Sequence, residues 1–123
     1  MTSDAARDLV AISAWLDAHN GTRDPEAITW ARIAKVSEEH GEAVAAFIGA
    51  TGQNPRKGVT HTLDDVVDEL LDVAVTALGA VEHLRGNRGE ALDLLAAKIA
   101  RVADRTRHAP AVSPTAHPTA PTP

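Results

Sequence analysis

The amino-acid sequence predicts an all-α protein, a four-helix bundle. Apolar residues recur at three- and four-residue spacing in four segments, and no segment alternates as a strand does. Helix caps stand at the starts of several segments, and Gly-containing breaks lie between them.

The first helix is predicted from about Asp4 to His19, with Leu9, Ile12 and Leu16 at helical spacing and Ser3 as its cap. Asn20-Gly21 ends it. The second begins after Asp24, with Pro25 as its first residue, where the missing N–H costs nothing. Its apolar stripe carries Trp30, Ile33, Ser37, Val44, Phe47 and Ile48, and it ends near Gly49 or Gly52. A polar loop, TGQNPRKGVTH, follows. Thr62 caps the third helix, and Asp64 and Asp65 fall in its first turn, where the helix dipole favours negative charge. A broad apolar face runs from Leu63 through Leu70 and Val73 to Val81. Gly86-Asn87 breaks the chain again. The fourth helix spans about Gly89 to Arg105, with Leu92, Leu95, Ile99 and Val102 at core spacing.

Residues 1–105 are therefore read as one domain. Residues 106–123 hold five of the seven prolines and no apolar periodicity, so this stretch is expected to be a disordered tail rich in Pro, Thr and Ala. The absence of cysteine excludes disulfides, thiolate metal sites and cysteine nucleophiles. The opening residues lack the order of a signal peptide, and no apolar run approaches the roughly 20 residues of a membrane span. A soluble, cytoplasmic protein with no membrane association is expected. A net charge of −5 argues against a nucleic-acid partner.

The acids are clustered. Glu38, Glu39 and Glu42 form one group, and Asp64, Asp65, Asp68, Glu69 and Asp72 form another. At about 100° per residue, Glu39 and Glu42 lie within roughly 60° of each other on one helix face, and so do Glu69 and Asp72. On the second helix this face is expected to point away from the stripe of Ile33, Val44 and Ile48. Its neighbours are Lys35, Ala43, Ala46 and Gly49, small enough for another group to approach. If the two helices pack antiparallel, the pairs converge. Four carboxylates without a counter-charge repel, and a hard divalent cation such as magnesium resolves the conflict. Neither pair forms the Glu-x-x-His motif of di-iron bundles, which counts against iron, and no histidine is read as a ligand. An isolated E-x-x-E is more often a solvated face, so the reading rests on the two pairs, the basic loop between them and the small residues around them.

The pattern EEHGE at Glu38 to Glu42, followed by ELLD at Glu69 to Asp72, resembles the E-x-x-E…E-x-x-D signature of the all-α nucleotide pyrophosphatases. That superfamily includes MazG-like proteins, dimeric dUTPases and dCTPases, and phosphoribosyl-ATP pyrophosphatase. The chain looks most like the small MazG-like group, over about Trp30 to Arg105. The resemblance implies a MazG-type fold and cleavage of a nucleoside triphosphate to the monophosphate and pyrophosphate, as in nucleotide-pool housekeeping. It implies that Glu39, Glu42, Glu69 and Asp72 hold magnesium, with manganese as a substitute, and that metal-activated water attacks. Glu38 then either orients that water or binds a further ion, or else faces solvent; Glu39 shares the catalytic role.

Substrate contacts implied are Lys35, Arg56, Lys57, Lys98, Arg101 and Arg105. Each has a plainer account: Lys35 as an i, i+4 partner of Glu39, Arg56 and Lys57 as an exposed basic loop, the last three as helix-end cations. Trp30 is read as core in preference to a base-stacking platform. An Asn that related enzymes often carry on the last helix has no counterpart, since Val102 and Ala103 stand there. The small size, and a second helix with both an apolar and an acidic face, suggest a homodimer or homotetramer. The competing reading is a non-catalytic helical module that senses nucleotide or metal, or docks a protein partner.

Overall fold

The computed structural model describes residues 3–111. It is all-helical over them: α1 spans Asp4–His19, α2 Pro25–Thr51, α3 Leu63–Leu84 and α4 Ala91–Arg107. The expected caps are in place. Ser3 Oγ accepts from Ala6 N–H, and Asp24 accepts from Ala27 N–H one residue before Pro25. At the end of α2, Gly52 adopts the left-handed conformation (φ 65°) and its N–H donates to Ile48 O. At the head of α3, Thr62 and Asp65 form a reciprocal capping box.

Two compact units divide the chain, one through Asp93 and one from Leu94. The first holds α1, α2 and α3. Ser13 of α1 meets Gly79 and Asp17 meets His83, so α1 and α3 run in the same direction. Thr29 of α2 meets His83 and Arg32 meets Gly79, so α2 runs against both. The antiparallel packing of α2 on α3 that the sequence left conditional is realised.

Which face of α2 is buried differs from expectation. Ala43, Ala46 and Gly49 are buried, whereas Trp30, Ile33, Val44 and Phe47 are exposed, Trp30 at 66%. The small residues beside the acids let α2 approach α3 closely, and the long apolar stripe is left outward. The reading of Trp30 as core is corrected accordingly. On α3 the buried residues are Gly79, Ala80 and Glu82, while Leu63, Val67, Leu70 and Leu71 stay more than half exposed. Among the described residues the buried apolar core is thus alanine apart from Leu9.

Gly49 shows the constraint directly. A methyl group there would run into His61 Nδ1 and Thr60 Oγ1. Thr60 N–H donates to Gly49 O at 2.9 Å, tying the loop back on α2.

In the second unit, α4 continues to Arg107, two residues past the predicted boundary. Of its predicted core residues, Leu95, Ile99 and Val102 are exposed. Of the expected tail, residues 112–123 lie outside the described residues.

Candidate metal centre

Midway along α2 and α3, one carboxylate oxygen from each of Glu39, Glu69 and Asp72 lies within 4.8 Å of the others. The helical register produces this. Both helices present acids at i, i+3 spacing, and antiparallel packing over Ala43, Ala46 and Gly49 brings the two stripes face to face. Glu39 is largely enclosed, its side chain 15% exposed, while Asp72 is open to solvent.

The electrostatics are those of crowded like charges. Desolvation raises the pKa of Glu39 above its usual value, and Glu42 and Asp72 add to the rise while Lys35 opposes it. Glu69 is raised in the same way, by desolvation first and then by Glu42, Asp72, Glu39 and Asp68. Its Oε2 is shielded from solvent and has no hydrogen-bond partner among the described residues. Buried carboxylate oxygens ordinarily find a partner. An oxygen-ligated cation meets this requirement.

Glu42 is exposed and lies outside the group of three, yet it is the largest charge neighbour of both Glu39 and Glu69. It stands beside the cluster and supplies no oxygen to its centre. Asp68, a member of the second acidic group not read as a ligand, acts on Glu69 as well. Lys35 Nζ sits 2.9 Å from Glu38 Oε2 and 3.8 Å from Glu39 Oε1, so it bridges both acids at the edge of the cluster. Its pKa is raised, chiefly by the bond to Glu38.

The remaining cations are placed elsewhere. Arg56 and Lys57 are exposed in the loop, where their backbone N–H groups donate to Asn54. No contact among the described residues joins their side chains to the acids. Lys98, Arg101 and Arg105 share a concavity of about 370 Å³ with Asp104 in the second unit.

A second polar constellation was not anticipated. Asp17 accepts from His83 Nδ1 at 2.8 Å, and His83 Nε2 meets Thr29 Oγ1 at 2.9 Å. Ser13 Oγ donates to Asn87 Oδ1 at 2.6 Å, Asn87 donates to Asp17 Oδ2 at 2.9 Å, and the Arg32 guanidinium donates to Ser13 and Gly79. These residues join three helices through partners far apart in sequence, which local spacing does not encode.

Comparison with known protein families, curated proteins and solved structures gives no match in any of the three.

Proposed function

We propose that the chain is a metal-dependent nucleoside triphosphate pyrophosphohydrolase that uses magnesium, or manganese in its place, at Glu39, Glu69 and Asp72, with Glu42 alongside. The observation that carries this is the meeting of three carboxylate oxygens from two helices within 4.8 Å. The orphaned, shielded oxygen of Glu69 supports it, because a cation is the partner such a group lacks. The E-x-x-E…E-x-x-D spacing supports the choice of substrate through its resemblance to the MazG-like enzymes.

Glu39, Glu69 and Asp72 would hold the divalent ion, which when bound would acidify a water and draw charge from phosphoryl oxygens. Glu38, exposed and paired with Lys35, would in this reading orient that water or bind a further ion. Lys35 balances the negative charge on Glu38 and Glu39 and presents an ammonium toward phosphate. Enclosure of Glu39 keeps its carboxylate in one place, and Asp72 leaves the centre open to substrate. Arg56, Lys57, Lys98, Arg101 and Arg105 enter this reading as phosphate contacts through the resemblance alone.

A MazG-type bundle completed by a second copy is part of the same proposal. Trp30, Phe47, Leu63, Leu70 and Leu71 are each more than half exposed, an amount of outward apolar surface that ordinarily marks an interface.

The test is a panel of canonical and deoxynucleoside triphosphates with magnesium, read for pyrophosphate against orthophosphate. Pyrophosphate release, lost in Glu69→Gln, together with a dimer or tetramer by light scattering, is expected. Pyrophosphate from none of the panel, with magnesium still raising the melting temperature, would favour the non-catalytic sensor.

A further inference from the structure

Helix α4 carries an apolar stripe that its own chain leaves bare. Leu95, Ile99 and Val102 recur at helical spacing, and Ile99 is 57% exposed. A helix of 17 residues draws most of its stability from packing such a face, so a partner is needed to cover it. Lys98, Arg101 and Arg105 border the stripe along one side. Asp104, the acid nearest to them in sequence, is paired with Arg107 and His108 instead.

Helix α3 presents the complement. Leu63, Val67, Leu70 and Leu71 form an exposed stripe, bordered by the exposed acids Asp64 and Asp68. Charge runs the same way through the two units. Residues 1–93 hold sixteen acids against eight Lys and Arg, and residues 94–123 one acid against four, so the second unit is drawn to the surface of the first. An anionic lipid surface would attract α4 as well, but it would repel the acidic unit to which α4 is joined.

Helix handedness decides which copy supplies the partner. At about 100° per residue, viewed from each N-terminus, the acids lie clockwise of the α3 stripe and the cations counter-clockwise of the α4 stripe. With the stripes facing, such borders meet only if the two helices run parallel. Within one chain they would be antiparallel, because α4 follows α3 after the short turn of residues 85–90. Glu82 fixes that turn by accepting from the N–H groups of Gly89 and Ala91.

We propose that α4 of each of two copies docks in parallel on α3 of the other, with Lys98, Arg101 and Arg105 facing Asp64 and Asp68. The exchange uses the same two surfaces on both chains and closes on a dimer. It brings the cations of one copy beside Asp68, the neighbour of Glu69, at the edge of the other's carboxylate cluster. The proposal rests on the second copy inferred above and names the element through which it binds.

The experiment is sedimentation of the full chain over a range of concentrations, with circular dichroism on the same samples. Two variants are compared with wild type, Lys98→Glu/Arg101→Glu and Asp64→Lys/Asp68→Lys, all four positions being exposed. Each is expected to raise the dimer dissociation constant by about tenfold or more, since opposed charges become like ones. An equimolar mixture of the two should recover wild-type affinity, because each α4 then meets the opposite charge on the other chain. Dilution of wild type to monomer should also lower helix content, as α4 loses its cover. A dimer indifferent to both variants would overturn this docking and leave a second copy in place. Recovery when both pairs of changes stand in one chain, but not in the mixture, would mean that α4 closes on its own chain and would overturn it too. Wild type that stays monomeric, with or without binding to phosphatidylserine vesicles, would overturn the docking and the second copy together. Pyrophosphate release is read separately by the triphosphate panel, so the catalytic reading stands or falls apart from these outcomes.

Discussion

The middle and the end of α3 are built from similar residues and reach opposite electrostatic outcomes. At the end, Glu82 is almost wholly buried, yet Oε2 accepts from Gly89 N–H at 2.9 Å and Oε1 from Ala91 N–H at 2.7 Å. His83, one residue on, is held between Asp17 and Thr29. In the middle, Glu69 and Asp72 face Glu39 with Glu42 and Asp68 near, and one oxygen of Glu69 has no partner. Satisfied polar groups in the first place hold helices together. Crowded acids in the second add no cohesion to the apo chain, which is what distinguishes a site from a strut.

The largest expected effect separates the two. Asp72→Asn should lower pyrophosphate release more than about a hundredfold, beyond what loss of a merely supporting contact costs. It should leave the apo melting temperature unchanged or raised, because one repelling charge is gone. The pH dependence gives the same contrast. Glu39 and Glu69 have folded pKa values raised above their unfolded ones. Their contribution to stability is therefore full below the unfolded pKa, about 4.3, and is lost as pH rises through the folded value. Magnesium should restore that loss at pH 7 and give almost no melting shift at pH 4.

Glu82→Ala is the complementary break. The buried Ala91 N–H and the part-buried Gly89 N–H would lose their acceptor, each at roughly 1–3 kcal/mol, so urea unfolding should show a loss of about 2–6 kcal/mol. Glu82→Gln, which keeps one acceptor oxygen, should recover part of it. Pyrophosphate release per folded molecule should be unchanged in both. An activity loss matching that of Asp72→Asn would erase the distinction between strut and site.

Local chemistry made the helices legible. Caps at Ser3, Asp24 and Thr62, with breaks at Gly52 and Gly86-Asn87, lie where side chain and backbone act within a few residues. The acid pairs were legible for the same reason, since i, i+3 spacing is local. What was not legible is which face of α2 is buried. Size decides that: Ala43, Ala46 and Gly49 permit close approach, whereas Val44 and Phe47 would hold the helices apart. Hydrophobicity alone pointed to the wrong stripe. Nor did spacing foretell that Glu42 stands beside the three acids and supplies no oxygen to their centre. The Asp17–His83–Thr29 contacts join three helices and have no counterpart in local spacing.

The smallest effect, at the head of α3, sharpens the comparison within that one helix. Thr62 Oγ1 accepts from Asp65 N–H at 3.2 Å, and Asp65 Oδ2 accepts from Thr62 N–H at 2.8 Å. Thr62→Ala removes one half of this box and should cost about 1 kcal/mol in urea unfolding, with Thr62→Ser close to wild type. The bond from the Thr62 backbone holds the Asp65 pKa below its usual value. Its stabilising effect is therefore present above the unfolded pKa of about 3.9 and fades as pH falls through the folded value. Asp65→Asn should weaken that dependence, while Asp72→Asn should weaken the opposite one. Asp65 and Glu69, four residues apart on α3, would then push stability in opposite directions with pH, because one accepts a backbone N–H and the other faces carboxylates. Urea unfolding of both variants between pH 3 and pH 7 reads this directly, and slopes of the same sign would remove the electrostatic basis for treating Asp72 as a metal ligand.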